Sequence, residues 1–136
     1  MRLVIVKSVK EYVSTYLNED ILISDDNNLE DCKCVKIPIT GNMNYYLVLR
    51  ITLESLEYIC NTLFGFASEE MYEDVAKEMI NVIAGKILVD LDDGLALGLP
   101  EICSNCSSSK KAIIFKNKDL HLSISLTKSR ITRNGK

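Results

Sequence analysis

SEEMYEDVAKEMINVIAGKILVD, residues 68–90, is the longest uninterrupted helical pattern in the chain and carries the polar residues from which a function can be read. Ser68 offers a side-chain oxygen to cap the first free backbone N–H groups. Glu69, Glu70, Glu73 and Asp74 then set negative charge over the first turns, where those N–H groups and the helix dipole favour it. At about 100° per residue, Val75, Ala76, Met79, Ile80, Val82, Ile83, Ala84, Ile87 and Leu88 cover most of the circumference, which predicts a largely buried helix. One narrow polar gap interrupts that cover. Asp74, Glu78, Asn81 and Gly85 fall within about 60° of each other and form a single stripe.

Gly85 is the odd member, because glycine within a helix costs roughly 1 kcal/mol against alanine. Either another surface approaches closely over the stripe, or a second helix packs at this point. The pattern Asp74-x-x-x-Glu78-x-x-Asn81-x-x-x-Gly85, worded DVAKEMINVIAG and followed by Leu99-Pro100, resembles the CheX-type chemotaxis phosphatases of the CheC/CheX/FliY group. A single E-x-x-N element is visible, which is similar to the one-site CheX arrangement rather than the two-site CheC one. The resemblance spans roughly residues 30–127 and is densest at 74–85.

That resemblance implies a phosphatase acting on the aspartyl phosphate of a CheY-type receiver domain. Asn81 would position the attacking water, Glu78 would dock the receiver's active-site lysine, and Gly85 would admit the partner's backbone. The magnesium ion would belong to the partner, with no cofactor on this chain, and the protein would form a homodimer through its sheets. Two positions depart from the family pattern. Lys86 stands where asparagine is common, adding a cation that bears on which receiver binds, and Asn105 stands where glycine commonly follows the proline. A reading from another class is a non-catalytic CheX-like module that docks a receiver or a flagellar-switch component.

Outward from this helix, the remaining segments read as its support. The 136 residues suit one domain, long enough to bury about two-thirds of its unfolded surface. A hydrophobic content of 47% with 26% charged residues is ordinary for a globular protein. A net charge of −3 and a pI near 5.2 argue against nucleic-acid binding, which calls for a basic face. The apolar cluster before Lys7 is too short for a signal peptide or membrane span, so a cytoplasmic protein is expected.

Val6, Val9, Val13 and Leu17 recur at helical spacing over 4–17, and a short strand is expected near 21–23. Residues 34–40 and 45–53 alternate as a hairpin, with Pro38 at a sheet edge or a non-bonding position. Leu53, Leu56, Ile59, Cys60 and Leu63 mark a helix over 54–64 that Gly65 stops. Residues 112–115 and 120–126 form a second hairpin. The whole is an α/β single domain over 1–127, a mostly antiparallel sheet with the helices of 54–64 and 69–89 on one face, followed by a frayed basic tail over 128–136.

The acidic run at 24–31 and the segment DLDDGLALGLP at 90–100 read as solvated turns rather than cation sites, given the Asn and Ser of the first and the two glycines and proline of the second. Cys32-Lys33-Cys34 and Cys103-Ser104-Asn105-Cys106 have a spacing that permits one four-thiolate zinc site without demanding it. An odd total, with Cys60 on an apolar helix face, fits reduced thiols equally well. His121, the sole histidine, is expected on the outward face of the second hairpin. The chain has no G-x-x-x-x-G-K-[ST], G-x-G-x-x-G, G-x-S-x-G or H-E-x-x-H motif, so any chemistry must draw its parts from a partner.

Overall fold

The computed structural model describes residues 1–42, 44–91, 94–103 and 111–128. Helix α1 (Arg2–Leu17) buries Ile5, Val9, Tyr12, Val13 and Leu17 on one face and ends at Asn18, whose left-handed φ of 55° turns the chain toward β1 (Leu22–Ser24). Strands β2 (Cys32–Thr40) and β3 (Tyr45–Thr52) make the first hairpin, pairing Ile39 with Tyr45 and Cys32 with Thr52. Their alternation puts Val35, Ile37, Ile39, Leu47, Leu49 and Ile51 on one buried face.

Thr52 ends β3 and caps α2 (Leu53–Phe64), its hydroxyl accepting from the Ser55 N–H at 3.1 Å; Gly65 closes that helix. Helix α3 (Glu69–Leu91) begins where expected, the Ser68 hydroxyl accepting from the Glu70 N–H at 3.4 Å. Strands β6 (Ile113–Lys116) and β7 (His121–Lys128) form the second hairpin. The Asn117 carboxamide oxygen holds its turn by accepting from the N–H groups of Asp119 and Leu120.

Among the described residues all pairings are antiparallel, in the order β1-β6-β7-β3-β2 followed by a two-residue strand over Ala96–Leu97. The three helices share one core with the sheet: Val9 and Val13 of α1, Leu56 and Ile59 of α2 and Met79, Ile80 and Ile83 of α3 join Leu49, Phe115 and Ile124 in a single buried cluster. Each such side chain contributes about 1.5–3 kcal/mol by leaving water, which is what fixes α3 against β2 and β3. The domain is therefore mixed α/β with an antiparallel sheet, as the hydrophobic patterning predicts.

Three expectations change. Part of 90–100 is strand, since β4 (Ala96–Leu97) pairs with Ile39 and Thr40, and just beyond it β5 (Glu101–Ile102) pairs with Val35 and Lys36. Two-residue strands show no alternation, so only the open side of β2 reveals them. Between the Ile39–Leu97 and Val35–Ile102 pairs, β2 advances four residues and its partner five, so one residue bulges out around Gly98. Gly98 donates its N–H to the Pro38 carbonyl at 2.9 Å. The missing donor of Pro38 points toward the same interrupted side and costs β3 nothing.

The second change is His121, which keeps the outward face, alternating with the core residues Leu120 and Leu122, but is half-buried there: its Nε2 lies 2.7 Å from the Asp26 carbonyl oxygen, and its backbone N–H donates to Ser55 Oγ at 2.8 Å. Third, β7 runs through Lys128, one residue into the expected tail; the rest of that tail and Asp92, Asp93, Asn105 and Cys106 lie outside the described residues.

Candidate functional site

The apolar residues of α3 face the sheet, α1 and α2, so its polar stripe is turned directly away from the core. Asp74, Glu78 and Asn81 are exposed, and Gly85 is partly so. Residues three and four apart on a helix are neighbours, about 5–6 Å between Cβ atoms, so the Glu78 carboxylate, the Asn81 carboxamide and the bare backbone at Gly85 form one ridge. Among the described residues neither Glu78 nor Asn81 is held by a hydrogen bond or an ion pair. Both present their full bonding capacity to solvent.

Gly85 decides between the two reasons for a glycine in this helix. A Cβ built on it would meet nothing within 4 Å, so no other described element packs there. Among the described residues nothing supports the internal-packing explanation, and none of them fills the space above the ridge at Gly85.

One flank of the ridge is α1, which no feature of the sequence places there. Tyr12 is 4% exposed, and burial, with the charges of Tyr16 and Glu78 behind it, pushes its phenol up to about 12. Lys86, the expected extra cation, lies roughly 100° around the helix from Gly85 and pairs with Glu11 of α1 at 3.6 Å. Lys7 reaches Asp90 at 3.4 Å and Glu11 at 3.9 Å, so four charges lace α1 to α3 beside the ridge. Those ion pairs are partly exposed and individually weak, about 0–1 kcal/mol; their consequence is directional, since they draw the Lys86 ammonium away from Glu78 and Asn81.

Elsewhere, a cleft of about 360 Å³ lies among Glu30, Asp31, Glu54, Lys116 and His121, with no ridge residue in its wall. Among the described residues no three His, Cys, Asp or Glu side chains converge as metal ligands, and no helix is long and apolar enough to cross a membrane.

The family model of the chemotaxis phosphatase CheX matches residues 34–115, which is more than half of the chain and includes the whole ridge. The chain belongs to the CheX family. No curated protein sequence matches it. Among solved structures, the chemotaxis protein CheX of Vibrio vulnificus superposes with a TM-score of 0.74 at 12% identity, covering 90% of this chain and 92% of that one. A CheC-like superfamily protein of Shewanella sp. PV-4 gives 0.73 at 16% identity, covering 93% and 95%. The CheX of Borrelia burgdorferi, solved in complex with CheY, BeF3 and Mg2+, gives 0.66 at 14% identity, covering 93% and 96%. At such identities the likeness shows the fold, and the CheX architecture accounts for nearly the full length of the chain.

Proposed function

We propose that this CheX-family chain hydrolyses the aspartyl phosphate of a CheY-type receiver domain, using Asn81 to orient water and Glu78 to seat the partner. The observation that carries this reading is the pair of unengaged side chains, Glu78 and Asn81, one turn apart on the face of α3 that no described part of the chain covers. The family's phosphatase character and the Borrelia CheX–CheY complex supply the class of partner.

A receiver domain brings the labile phosphoryl group, its magnesium ion and a lysine, so the reaction lacks chiefly an oriented nucleophile. The Asn81 carboxamide has one acceptor and two donors. Its oxygen accepts a hydrogen bond from water held in line with phosphorus while its NH2 donates to a phosphoryl oxygen. The oxygen of water bonds to phosphorus, the bond to the aspartyl oxygen breaks, and inorganic phosphate and the free aspartate result. Asn81 takes no proton; the water's proton leaves with the phosphate or to solvent. Its contribution is position.

A carboxylate facing the phosphoryl group would repel it, so Glu78 pairs with the receiver's lysine and sets the register of docking. Gly85 leaves room for the receiver's backbone on the same ridge. A homodimer through the sheets is part of the proposal; β1 closes one edge of the sheet with Leu22 and Ile23 exposed, an apolar edge of the kind that pairs with another strand.

The test mixes the chain with acetyl-phosphate-labelled receivers and follows phosphate release. Asn81→Ala should lower turnover by about 100-fold, the scale expected when a reactant loses its orientation, with receiver binding retained; unchanged release would end the catalytic role and leave the docking module. Glu78→Ala should weaken receiver binding by roughly tenfold or more, as expected for losing one partner of a close charge pair, and slow turnover with it. A variant that binds as tightly as wild type would remove Glu78 from the docking role.

A further inference from the structure

The face of the sheet opposite the helices holds a pair of thiols that the phosphatase reading does not use. Cys34 alternates with the core residue Val35 and so points to this outer face; Cys103 follows Ile102, the partner of Val35, and lies directly opposite Cys34. The Cys103 N–H donates to the Cys34 carbonyl at 2.9 Å, which makes them a hydrogen-bonded cross-strand pair. Such pairs have Cα atoms about 5.5 Å apart, inside the range that a disulfide spans without moving backbone.

The two thiols differ in access. Cys34 is 5% exposed, whereas Cys103 is only half-buried at the open end of β5, and both are reduced. We propose that Cys103 and Cys34 form a peroxide-reactive dithiol, in which Cys103 takes the oxidant and Cys34 closes the disulfide that staples β5 to β2.

The chemistry needs a hydroperoxide as oxidant. The Cys103 thiolate sulfur attacks one peroxide oxygen, the O–O bond breaks, and the departing alkoxide or hydroxide leaves as alcohol or water after taking a proton. Cys103 is then a sulfenic acid. The Cys34 sulfur next bonds to the Cys103 sulfur, the S–O bond breaks, and the hydroxide leaves as water with the Cys34 proton. Two thiols have lost two electrons and two protons, and a dithiol reductant restores them by exchange.

The surroundings favour the first step at Cys103. A hydrogen bond from the Cys34 thiol and the nearby Lys36 ammonium stabilise its thiolate, against burial and the Glu101 carboxylate, and bring its pKa down to about 7. Lys36 stays on this face, paired with Glu101 at 4.0 Å and over the Tyr46 ring at 4.4 Å. Cys32 shares the face, but it lies two residues along the same strand, where side chains stand parallel, and its sulfur accepts from Arg50 Nη2 at 3.9 Å.

The experiment treats the reduced full chain with hydrogen peroxide, alkylates the remaining thiols and maps peptides by mass spectrometry. The expected product is a Cys34–Cys103 disulfide that still forms in Cys106→Ser, with loss of thiols about tenfold faster in the folded than in the urea-unfolded chain at pH 7. Cys34→Ser should leave a dimedone-reactive sulfenic acid on Cys103, and Cys103→Ser should leave Cys34 reduced. A disulfide that joins Cys106 instead and is lost in Cys106→Ser would overturn the proposal, as would equal rates in folded and unfolded chains. So would one equivalent of tightly held zinc that is released only when the thiols are alkylated.

Discussion

Gly85, inside a helix, and Gly98, in the bulge between two short strands, are two glycines in regions with opposite demands. A Cβ on Gly98 would run into Cγ of Pro38, a rigid ring that cannot swing aside, so the bulge beside β2 closes only over a residue with no side chain. A Cβ on Gly85 would meet open space, in a helix where alanine would be the better residue. The first glycine answers a need of the fold, and the second answers none that the fold has. Where a sequence accepts a local cost without an internal contact to offset it, the reason is to be sought outside the chain, and the ridge of Glu78 and Asn81 is where that outside contact falls.

The comparison breaks first on its crowded side. Gly98→Val forces a branched side chain into the Pro38 ring and should lower unfolding free energy by about 3 kcal/mol, the upper part of the range for overpacking, read from urea denaturation; an unchanged midpoint would show that the bulge relaxes at no cost.

Alkaline titration sharpens the open side, because it reports on α1 where it flanks the ridge. The Tyr12 pKa is raised, from 10.0 unfolded to about 12 folded, so folding favours the neutral phenol. Its contribution is whole below pH 10 and is lost as pH rises from 10 through 12, reaching about 2–3 kcal/mol for a shift of that size. Denaturation of wild type and Tyr12→Phe should therefore diverge across that window, and parallel curves would mean that Tyr12 is hydrated and the flank open.

The smallest effect is the most pointed. Gly85→Leu should leave the melting temperature unchanged or slightly higher, since leucine is the better helix former by up to about 1 kcal/mol. It should weaken receiver binding by about tenfold, equivalent to roughly 1.4 kcal/mol. A variant that binds normally would mean that no partner approaches this backbone; one that melts early would mean that the fold itself needs the glycine.

Much of the architecture is legible in local spacing alone. The long helix, its Ser68 cap, both hairpins and the Gly65 stop follow from periodicity and turn chemistry, which act over a few residues and are written in the order of the chain. The stripe is legible for the same reason, since a helix converts spacing directly into direction. Strands β4 and β5 are not, because two residues carry no period; nor is the tether of His121, whose partners Asp26 and Ser55 are 95 and 66 residues away.

The sequence by itself determined which side of the long helix is polar, and that Glu78, Asn81 and Gly85 share it. Only the tertiary structure decided that no described residue fills the space over Gly85, that α1 walls one flank and draws Lys86 aside through Glu11, and that Cys34 meets Cys103. Those are contacts between segments remote in sequence, set by how the helices and strands fill one core, and no local spacing encodes them.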